Sequence, residues 1–408
     1  MSRKKKEPNG CGCANIPFSV IIAVLGGGYW LFSQGHLDIS KLLPKNQRIT
    51  IPILNPTPTA SSTPTPITSS TPTPTASSTP TPSVSGNSNR AANDKQAPLE
   101  TITPQKTPLA QTPWDKKIIR GIYLSRYQVT NNTDEQTIRA RVRYYRSQGI
   151  NTILHGVWGN GCTMYNSDVM QQTLGYKSCP NQFQERWLDW LIDEAHKQGM
   201  QVHAYFEKGI KTDKNSPIFD LAISRKWIVP GVDKTYVGIE HYVLDVEIPE
   251  VANFFKNILV EFVQKYPKID AVQWDDYLGY HAELPGKIDR TTHLTNFLQQ
   301  MITAMKQTNS TVSFDICHHN PYWAKRYFAA DWQKWKVDRV FIQAYNEANF
   351  KEELNYATNY DGIAITDRQL HRLKELVYNP AIKSILVFPL TGKAEETASN
   401  LRSLTQNN

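Results

Sequence analysis

The feature that most constrains the fold is an alternation of short apolar runs with helix-like stretches, which begins at Trp114 of the 408-residue chain. Eight runs have the length and β-rich composition of buried strands. They lie at 120–125, 151–157, 201–207, 270–276, 311–316, 339–345, 362–366 and 384–390. Eight strands separated by helices over residues 114–408 predict an α/β fold, a (β/α)8 TIM-type barrel.

A doubly wound open sheet is the alternative arrangement of the same elements. Such a sheet usually has a glycine-rich phosphate loop after its first strand, whereas the sequence there reads SRYQVTNN. The strand count and the alternation together therefore favour the barrel.

Three of the predicted helices have clear ends. The helix at 184–197 is followed by Gly199, the helix at 134–147 ends just before Gly149, and the helix at 249–265 is followed by Pro267. The helix at 184–197 has an apolar stripe made of Trp187, Leu188, Leu191, Ile192 and Ala195. A stripe of this kind predicts a helix that packs one face onto the sheet.

The first 32 residues have the pattern of a membrane anchor. Residues 1–15 contain the basic run Arg3–Lys6, and residues 16–32 read IPFSVIIAVLGGGYWLF, near the lower length limit for a membrane-spanning helix. Basic residues before the span predict a cytoplasmic tail and place the rest of the chain outside the cytoplasm. We expect an uncleaved signal-anchor, with a cleaved signal peptide as the alternative.

Residues 33–113 are predicted to be a low-complexity linker. Within them, residues 55–86 repeat with a period of eight and carry three TPTP elements after an initial NPTP. Proline removes backbone donors and blocks helix formation, and Ser and Thr give nothing to bury. The segment is therefore expected to be a disordered, extended Thr/Pro/Ser-rich spacer ahead of the domain at 114–408.

Charge and cysteine usage exclude some functions. The net charge is +8, but acids and bases are interspersed, and no basic stripe of the kind that binds nucleic acid is present in the sequence. Cys11 and Cys13 precede the span and are expected to be free thiols, whereas Cys162 and Cys179 could form a disulfide in an oxidising compartment. With Cys317 left over, no spacing suits a structural zinc site, so neither a metal nor another cofactor is predicted.

Polar and aromatic residues gather where the predicted strands end, which is where barrel enzymes build their sites. The candidate residues are Trp158 and Tyr165 after strand two, His203, Tyr205 and Glu207 on strand three, Gln273, Trp274, Asp275 and Asp276 on strand four, Asp315 on strand five, and Gln343 and Tyr345 on strand six. Strand alternation places Gln273 and Asp275 on one face and directs Asp276 to the other.

Carboxylates combined with aromatic rings favour glycoside hydrolysis. That reaction needs two carboxyl groups around the scissile bond, one of them with a raised pKa. Because Asp275 and Asp276 point to opposite sides of an ideal strand, the better pair is Asp275 with Glu207 or with Asp315. The structural alternative is that the Asp-Asp pair caps the following turn and that His203 is a core histidine.

Five stretches resemble the glycosyl hydrolase-like 10 family of bacterial envelope proteins. They are RGIYLS, GINTILHGVWGNGCTMYNSDVM, LIDEAHKQGMQVHAYFE, IDAVQWDDY and DWQKWKVDRVFIQAY, and the resemblance extends from Lys117 to Tyr345. It implies a (β/α)8 barrel with glycosidase chemistry, in which Asp275 and Asp276 are the leading acidic residues and Glu207 is the partner. Ala271 replaces the usual glycine of this family, and the segment after Tyr345 matches poorly.

The sequence therefore predicts a membrane-anchored glycoside hydrolase on the extracytoplasmic side of a bacterial cell. Its predicted partners are the membrane and an envelope or extracellular polysaccharide. One alternative is a non-catalytic glycan-binding or scaffold protein on the same barrel. Another is a metal-dependent hydrolase or deacetylase that uses His203, Asp275 and Asp276. Oligomeric state and retaining or inverting stereochemistry are not readable from residue spacing.

Overall fold

A computed structural model describes residues 111–236, 239–281, 284 and 288–406 of the chain. These residues lie in the compact unit Thr101–Asn408. The predicted tail, the predicted anchor at 16–32 and nearly all of the predicted linker lie outside the described residues. Within the described ranges, no helix is both long enough and apolar enough to cross a bilayer.

Twelve strands are present in the described part of the chain. They are β1 (Arg120–Leu124), β2 (Thr152–Gly159), β3 (Cys162–Thr163), β4 (Gln201–Phe206), β5 (Lys211–Asp213), β6 (Ile228–Tyr236), β7 (Ile239–Leu244), β8 (Ala271–Trp274), β9 (Ser313–His318), β10 (Arg339–Gln343), β11 (Gly362–Thr366) and β12 (Ile385–Phe388).

Eight of these strands close into a parallel barrel. The order is β1, β2, β4, β8, β9, β10, β11 and β12, and β12 pairs again with β1. Each pairing is parallel; Arg120 is in register with Ile385, for example, and Gly121 with Thr152. The predicted barrel is thus confirmed, and the open-sheet alternative is wrong because these eight strands leave no free edge among them.

Helices connect the strands around the outside. They are α1 (Glu135–Ser147), α2 (Asp168–Leu174), α3 (Trp187–Lys197), α4 (Phe219–Ser224), α5 (Pro249–Lys265), α6 (Arg290–Thr308), α7 (Pro321–Phe328), α8 (Phe350–Ala357), α9 (Leu373–Tyr378) and α10 (Ala394–Gln406). The predicted helix at 249–265 coincides with α5. Pro249 is its first residue, a position where the backbone N–H has no partner within the helix, so proline is tolerated there. The predicted apolar stripe of α3 is buried, and Gly199 follows this helix with φ +64°.

The core has two parts, one on each side of the barrel wall. The larger part fills the space between the wall and the helices. The smaller part fills the barrel itself and includes Tyr123, Leu154, Tyr205, Phe341 and Leu386. Because strand side chains alternate between the two, the interior side chains continue upward into the C-terminal mouth of the barrel.

Two additions interrupt the barrel pattern near the mouth. β3 folds back antiparallel onto the end of β2, and Cys162 in it forms a disulfide with Cys179. A three-stranded antiparallel sheet of β5, β7 and β6 is inserted after β4. This inserted sheet was not predicted from the sequence; its strands lie in the segment between β4 and α5.

The chain enters the barrel at the end opposite to the mouth. Trp114 is buried there, and its Nε1 donates a hydrogen bond to the carbonyl of Gly149, just before β2. Lys117 Nζ donates to the carbonyls of Asn379 and Ile382, just before β12. These hydrogen bonds fix residues 114–117 against the loops that precede β2 and β12.

Candidate active site

A cavity of about 170 Å³ opens at the C-terminal ends of β1, β4 and β12. Its walls include Tyr123, Tyr205, Glu207, Lys208, Tyr277 and Phe388. Aromatic side chains with a few polar groups among them are typical of small-molecule sites, and flat rings suit the faces of sugars. The cavity lies where barrel enzymes place their catalytic groups.

Asp275 lies beside this cavity, and two hydrogen bonds hold its carboxyl group. The strand ends at Trp274, and Asp275 caps the short 3-10 helix Asp276–Leu278 by accepting a hydrogen bond from the Tyr277 amide at 3.0 Å. Tyr205 Oη donates a second hydrogen bond to its carboxyl group. Burial, and then the nearby charge of Asp276, raise the pKa of Asp275 to about 8. Asp275 is therefore mostly protonated at neutral pH.

The charge of Asp276 adds to the effect of burial on the pKa of Asp275. The backbone leaves the strand at Asp275 and turns into the 3-10 helix, so ideal strand alternation no longer separates the two carboxyl groups. Asp276 Oδ2 lies 3.9 Å from His319 Nε2, and its side chain is 16% exposed. The two aspartates are thus adjacent acids in different surroundings, the condition under which one keeps its proton.

Glu207 follows β4, the strand next to β8, and is fixed there by Arg126. The Arg126 amide donates to Glu207 Oε1 at 3.1 Å, and Arg126 Nη1 lies 3.6 Å from Oε2. The carboxylate occupies the space that a side chain at position 156 would fill, because a Cβ on Gly156 would lie 2.1 Å from Oε1. Burial raises the pKa of Glu207, and the Arg126 charge opposes that rise. Glu207 is therefore a positioned carboxyl group that faces the cavity.

Gln273, Gln343 and Tyr345 pack with the aromatic residues of the mouth. Tyr123 Oη donates to Gln273 Oε1 at 2.5 Å, inside the barrel and below Asp275. The rings of Tyr123 and Tyr205 meet edge to face at 5.0 Å, and Tyr345 lies 5.9 Å from Phe388. Gln343 points into the same interior and is almost fully buried.

Three predicted substrate-contacting residues lie elsewhere. Trp158, Tyr165 and Trp274 are fully buried in the layer between the barrel and the helices. Trp158 packs on Phe254 and Phe255, Tyr165 on Phe262 and Tyr266, and Trp274 stacks on Phe206. This corrects their expected position, since bulky rings on the outer face of a strand fill the helix interface.

His203 and Asp315 lie inside the barrel but below the mouth. Asp315 accepts hydrogen bonds from Arg339 Nε at 2.9 Å, and its Oδ2 lies 2.8 Å from Arg339 Nη2. His203 Nδ1 lies 3.5 Å from Asp315 Oδ2. Asp315 sits low because β9 continues to His318, two residues past its predicted end. Burial, opposed by Arg339, raises the pKa of Asp315 to about 6.

This placement separates Asp315 and His203 from the acids at the mouth. Asp315 is engaged by Arg339, so of the two predicted partners of Asp275 only Glu207 lines the cavity. His203 contributes to the same lower layer instead of joining Asp275 and Asp276. In the described ranges, no three His, Cys, Asp or Glu side chains are placed to hold a metal ion.

Two groups at the mouth, Lys211 and His319, were not among the predicted site residues. Lys211, the first residue of β5, is buried, with Nζ 2.6 Å from His281 Nε2 and 4.8 Å from the centre of the Tyr277 ring. His319 lies between Asp276 and Glu353, which comes from α8. The adjacent histidines at the end of strand five were the available signal for His319, whereas no local pattern links it to Glu353.

Comparison with known proteins agrees with the predicted resemblance. The family described as Glycosyl hydrolase-like 10 matches residues 118–288, which confirms that resemblance over these residues. Glycosyl hydrolase DigH of Escherichia coli (strain K12) is 30% identical over 231 residues, covering 47% of this chain and 49% of the relative. The Shigella flexneri protein of the same name gives the same figures. The chain spans about half the length of the curated relatives it matches.

Two solved glycosidase structures align with this chain at low similarity. The GH36 alpha-galactosidase AgaB from Geobacillus stearothermophilus aligns with a TM-score of 0.45 and 14% identity, covering 73% of this chain and 42% of the other. A Glycoside Hydrolase Family 20 beta-N-acetylglucosaminidase aligns with a TM-score of 0.41 and 7% identity, covering 62% and 52%.

Proposed function

We propose that this chain, which matches the glycosyl hydrolase-like 10 family over residues 118–288, is a glycoside hydrolase. We further propose that it acts on a bacterial envelope or extracellular polysaccharide and is held at the membrane by residues 16–32. The observation that carries the catalytic proposal is Asp275, a buried carboxyl group at the barrel mouth whose pKa is raised to about 8. A protonated carboxyl group at neutral pH is what the leaving-group oxygen of a glycoside requires.

In the proposed reaction, Asp275 donates its proton to the glycosidic oxygen as the bond to the anomeric carbon breaks. The departing sugar leaves as an alcohol, and Asp275 becomes a carboxylate that a water proton later restores. A second carboxylate must stabilise the positive charge that develops on the ring or activate the water. Glu207 is our candidate, because it lines the cavity and is held in place by Arg126.

The aromatic walls support a saccharide as the substrate. Tyr123, Tyr205, Tyr277 and Phe388 present ring surfaces around the cavity, and Glu207 and Lys208 present hydrogen-bonding groups. Sugar rings have apolar faces that pack on aromatic rings and hydroxyl groups that pair with such polar side chains. The proposed anchor and linker would keep the domain within reach of polymers near the cell surface.

The Asp275→Asn variant tests this function in the full chain. We expect release of reducing ends from bacterial glycan preparations to fall by about 100-fold or more, because asparagine has no proton to donate. Asp193→Asn is the matched control, since Asp193 pairs with Lys268 on the helical exterior at 3.6 Å and should leave turnover unchanged. Full glycan cleavage by the Asp275→Asn chain would show that Asp275 is not the proton donor.

One observation favours a non-catalytic glycan-binding protein as the second candidate. Asp275 is only 7% exposed, and Tyr205 stands between it and the cavity, as expected of a group that shapes a binding pocket. This candidate predicts that calorimetry detects glycan binding by the unmodified chain, but that the chain releases no reducing ends over long incubation. The two candidates are therefore separated before any variant is made.

A further inference from the structure

Three ionisable side chains from three separate elements form a line that ends at the mouth. Glu353 on α8 lies with Oε1 3.1 Å from His319 Nδ1, and His319 Nε2 lies 3.9 Å from Asp276 Oδ2. His319 follows the last residue of β9, and Asp276 begins the 3-10 helix after β8. The imidazole thus lies between two carboxylates, one of which adjoins Asp275.

The geometry of this line is fixed by its surroundings. Glu353 is 1% exposed, and its Oε2 accepts a hydrogen bond from the Asn320 amide at 3.0 Å. The His319 ring stacks on Phe328 with an interplanar angle of 18° and a centroid distance of 5.5 Å. A buried glutamate costs stability unless it is paired, so its placement behind His319 requires a compensating interaction.

We propose that Glu353 and His319 are positioning residues that keep the charge on Asp276 and leave the proton that the two adjacent aspartates share on Asp275. This inference rests on the proposed function, in which Asp275 is the proton donor. A cation beside Asp276 lowers the energy of its carboxylate form. The proton of the pair then resides on Asp275, the buried partner, where the proposed reaction needs it.

The charges around His319 agree with this arrangement. Burial opposes its protonation, but the hydrogen bond with Glu353 and the charges of Asp276 and Glu353 outweigh burial, so the pKa of His319 is raised. Lys211 of the inserted sheet acts against the rise. His318, its neighbour in the chain, does not compete for the proton, since burial holds the pKa of His318 well below its usual value.

The first test measures His319 directly in the full chain. Histidine labelled at Cε1 is titrated by NMR, and the His319 signal is assigned from its loss in a His319→Gln chain. We expect a pKa above 6.5 in the unmodified protein and a decrease of about one pH unit or more in Glu353→Gln. Glutamine keeps an oxygen acceptor for the Asn320 amide, so this change removes the charge of Glu353 and the acceptor that faces His319 Nδ1.

Glu352→Gln is the matched control, because Glu352 is the exposed neighbour of Glu353 on the same helix. It should leave the His319 titration unchanged. A His319 pKa at or below 6.5 in the unmodified chain, or one that Glu353→Gln does not lower, would overturn the proposal. The titration of the unmodified chain decides the matter by itself if the Glu353→Gln chain does not fold.

The second test is the pH dependence of glycan cleavage. In Glu353→Gln we expect His319 to be neutral at pH 7. This change should lower kcat at pH 7 by about tenfold with KM nearly unchanged, and it should shift the alkaline limb of the pH–rate profile, on which the proton donor ionises. An unshifted profile alongside a lowered His319 pKa would refute the link to Asp275. Full activity of Asp275→Asn would show that Asp275 is not the proton donor, and absence of reducing-end release by the unmodified chain would refute the proposed function. In either case the NMR result still reports on the pair of Glu353 and His319.

Discussion

The raised pKa of Asp275 predicts that Asp275→Asn stabilises the fold at neutral pH while it removes the proposed proton donor. The carboxyl group ionises near pH 8 in the folded chain against a reference value of 3.8, because burial and then Asp276 disfavour its charged form. An acid whose pKa is higher in the folded state binds more protons there. Its stabilising contribution is therefore complete below pH 3.8 and is lost as the pH rises toward 8.

The size of this effect follows from proton linkage. Each pH unit between the two pKa values removes at most about 1.4 kcal/mol from the free energy of unfolding. Between pH 5 and pH 7 the loss has an upper limit of about 3 kcal/mol. Asparagine avoids the loss and keeps a carbonyl oxygen for the Tyr277 amide that Asp275 now caps.

Urea unfolding of the full chain at several pH values between 5 and 8 measures the effect. We expect the difference in free energy of unfolding to shift in favour of Asp275→Asn by about 1–3 kcal/mol between pH 5 and pH 7. The same series on Asp193→Asn, the change on the helical exterior, should show no such trend. A difference that stays constant with pH, or that shifts toward the unmodified chain, would refute a raised pKa at Asp275.

Three further changes test the surroundings of the site. Arg126→Gln should leave Glu207 buried without its cation. We expect the free energy of unfolding to fall by about 3 kcal/mol at pH 8 and by less at pH 5. An equal loss at both pH values would contradict the pairing of Arg126 with Glu207. Gly156→Ala should place a methyl group against the Glu207 carboxylate and lower glycan release about tenfold, while unchanged turnover would show that the position of Glu207 is unimportant. Reduction of the Cys162–Cys179 bond should lower the free energy of unfolding by about 3 kcal/mol, measured as a fall in Tm with added reductant; an unchanged Tm would contradict this role.

The local sequence pattern was sufficient to predict the barrel and the position of Asp275 at the end of its strand. Strand alternation holds through Trp274, so Gln273 lies inside the barrel below Asp275 as predicted. The error at Asp315 came from one strand end. The predicted strand ended at Ile316, whereas β9 continues through Cys317 to His318. Because of these two extra residues, Asp315 lies deeper in the barrel than predicted.

Residue type alone could not distinguish the two sides of the barrel wall. Trp158 and Trp274 have the composition of a sugar-binding surface, yet they fill the helix layer, where large rings bury the most apolar area. The inserted sheet was missed because its strands lie outside the strand–helix alternation used to assign the barrel. The approach of Glu353 to His319 depends on tertiary packing between α8 and the end of β9, which no local periodicity encodes.

The entry point of the chain has a practical consequence for presenting this domain. The buried contacts of Trp114 and Lys117 hold the first residues at the floor of the barrel, while the cavity opens at the other end. A fusion partner or a solid support joined ahead of Trp114 would therefore be attached on the side away from the opening. Capture through that terminus should leave the opening free for long insoluble polymers, whereas attachment near Phe388 would obstruct it.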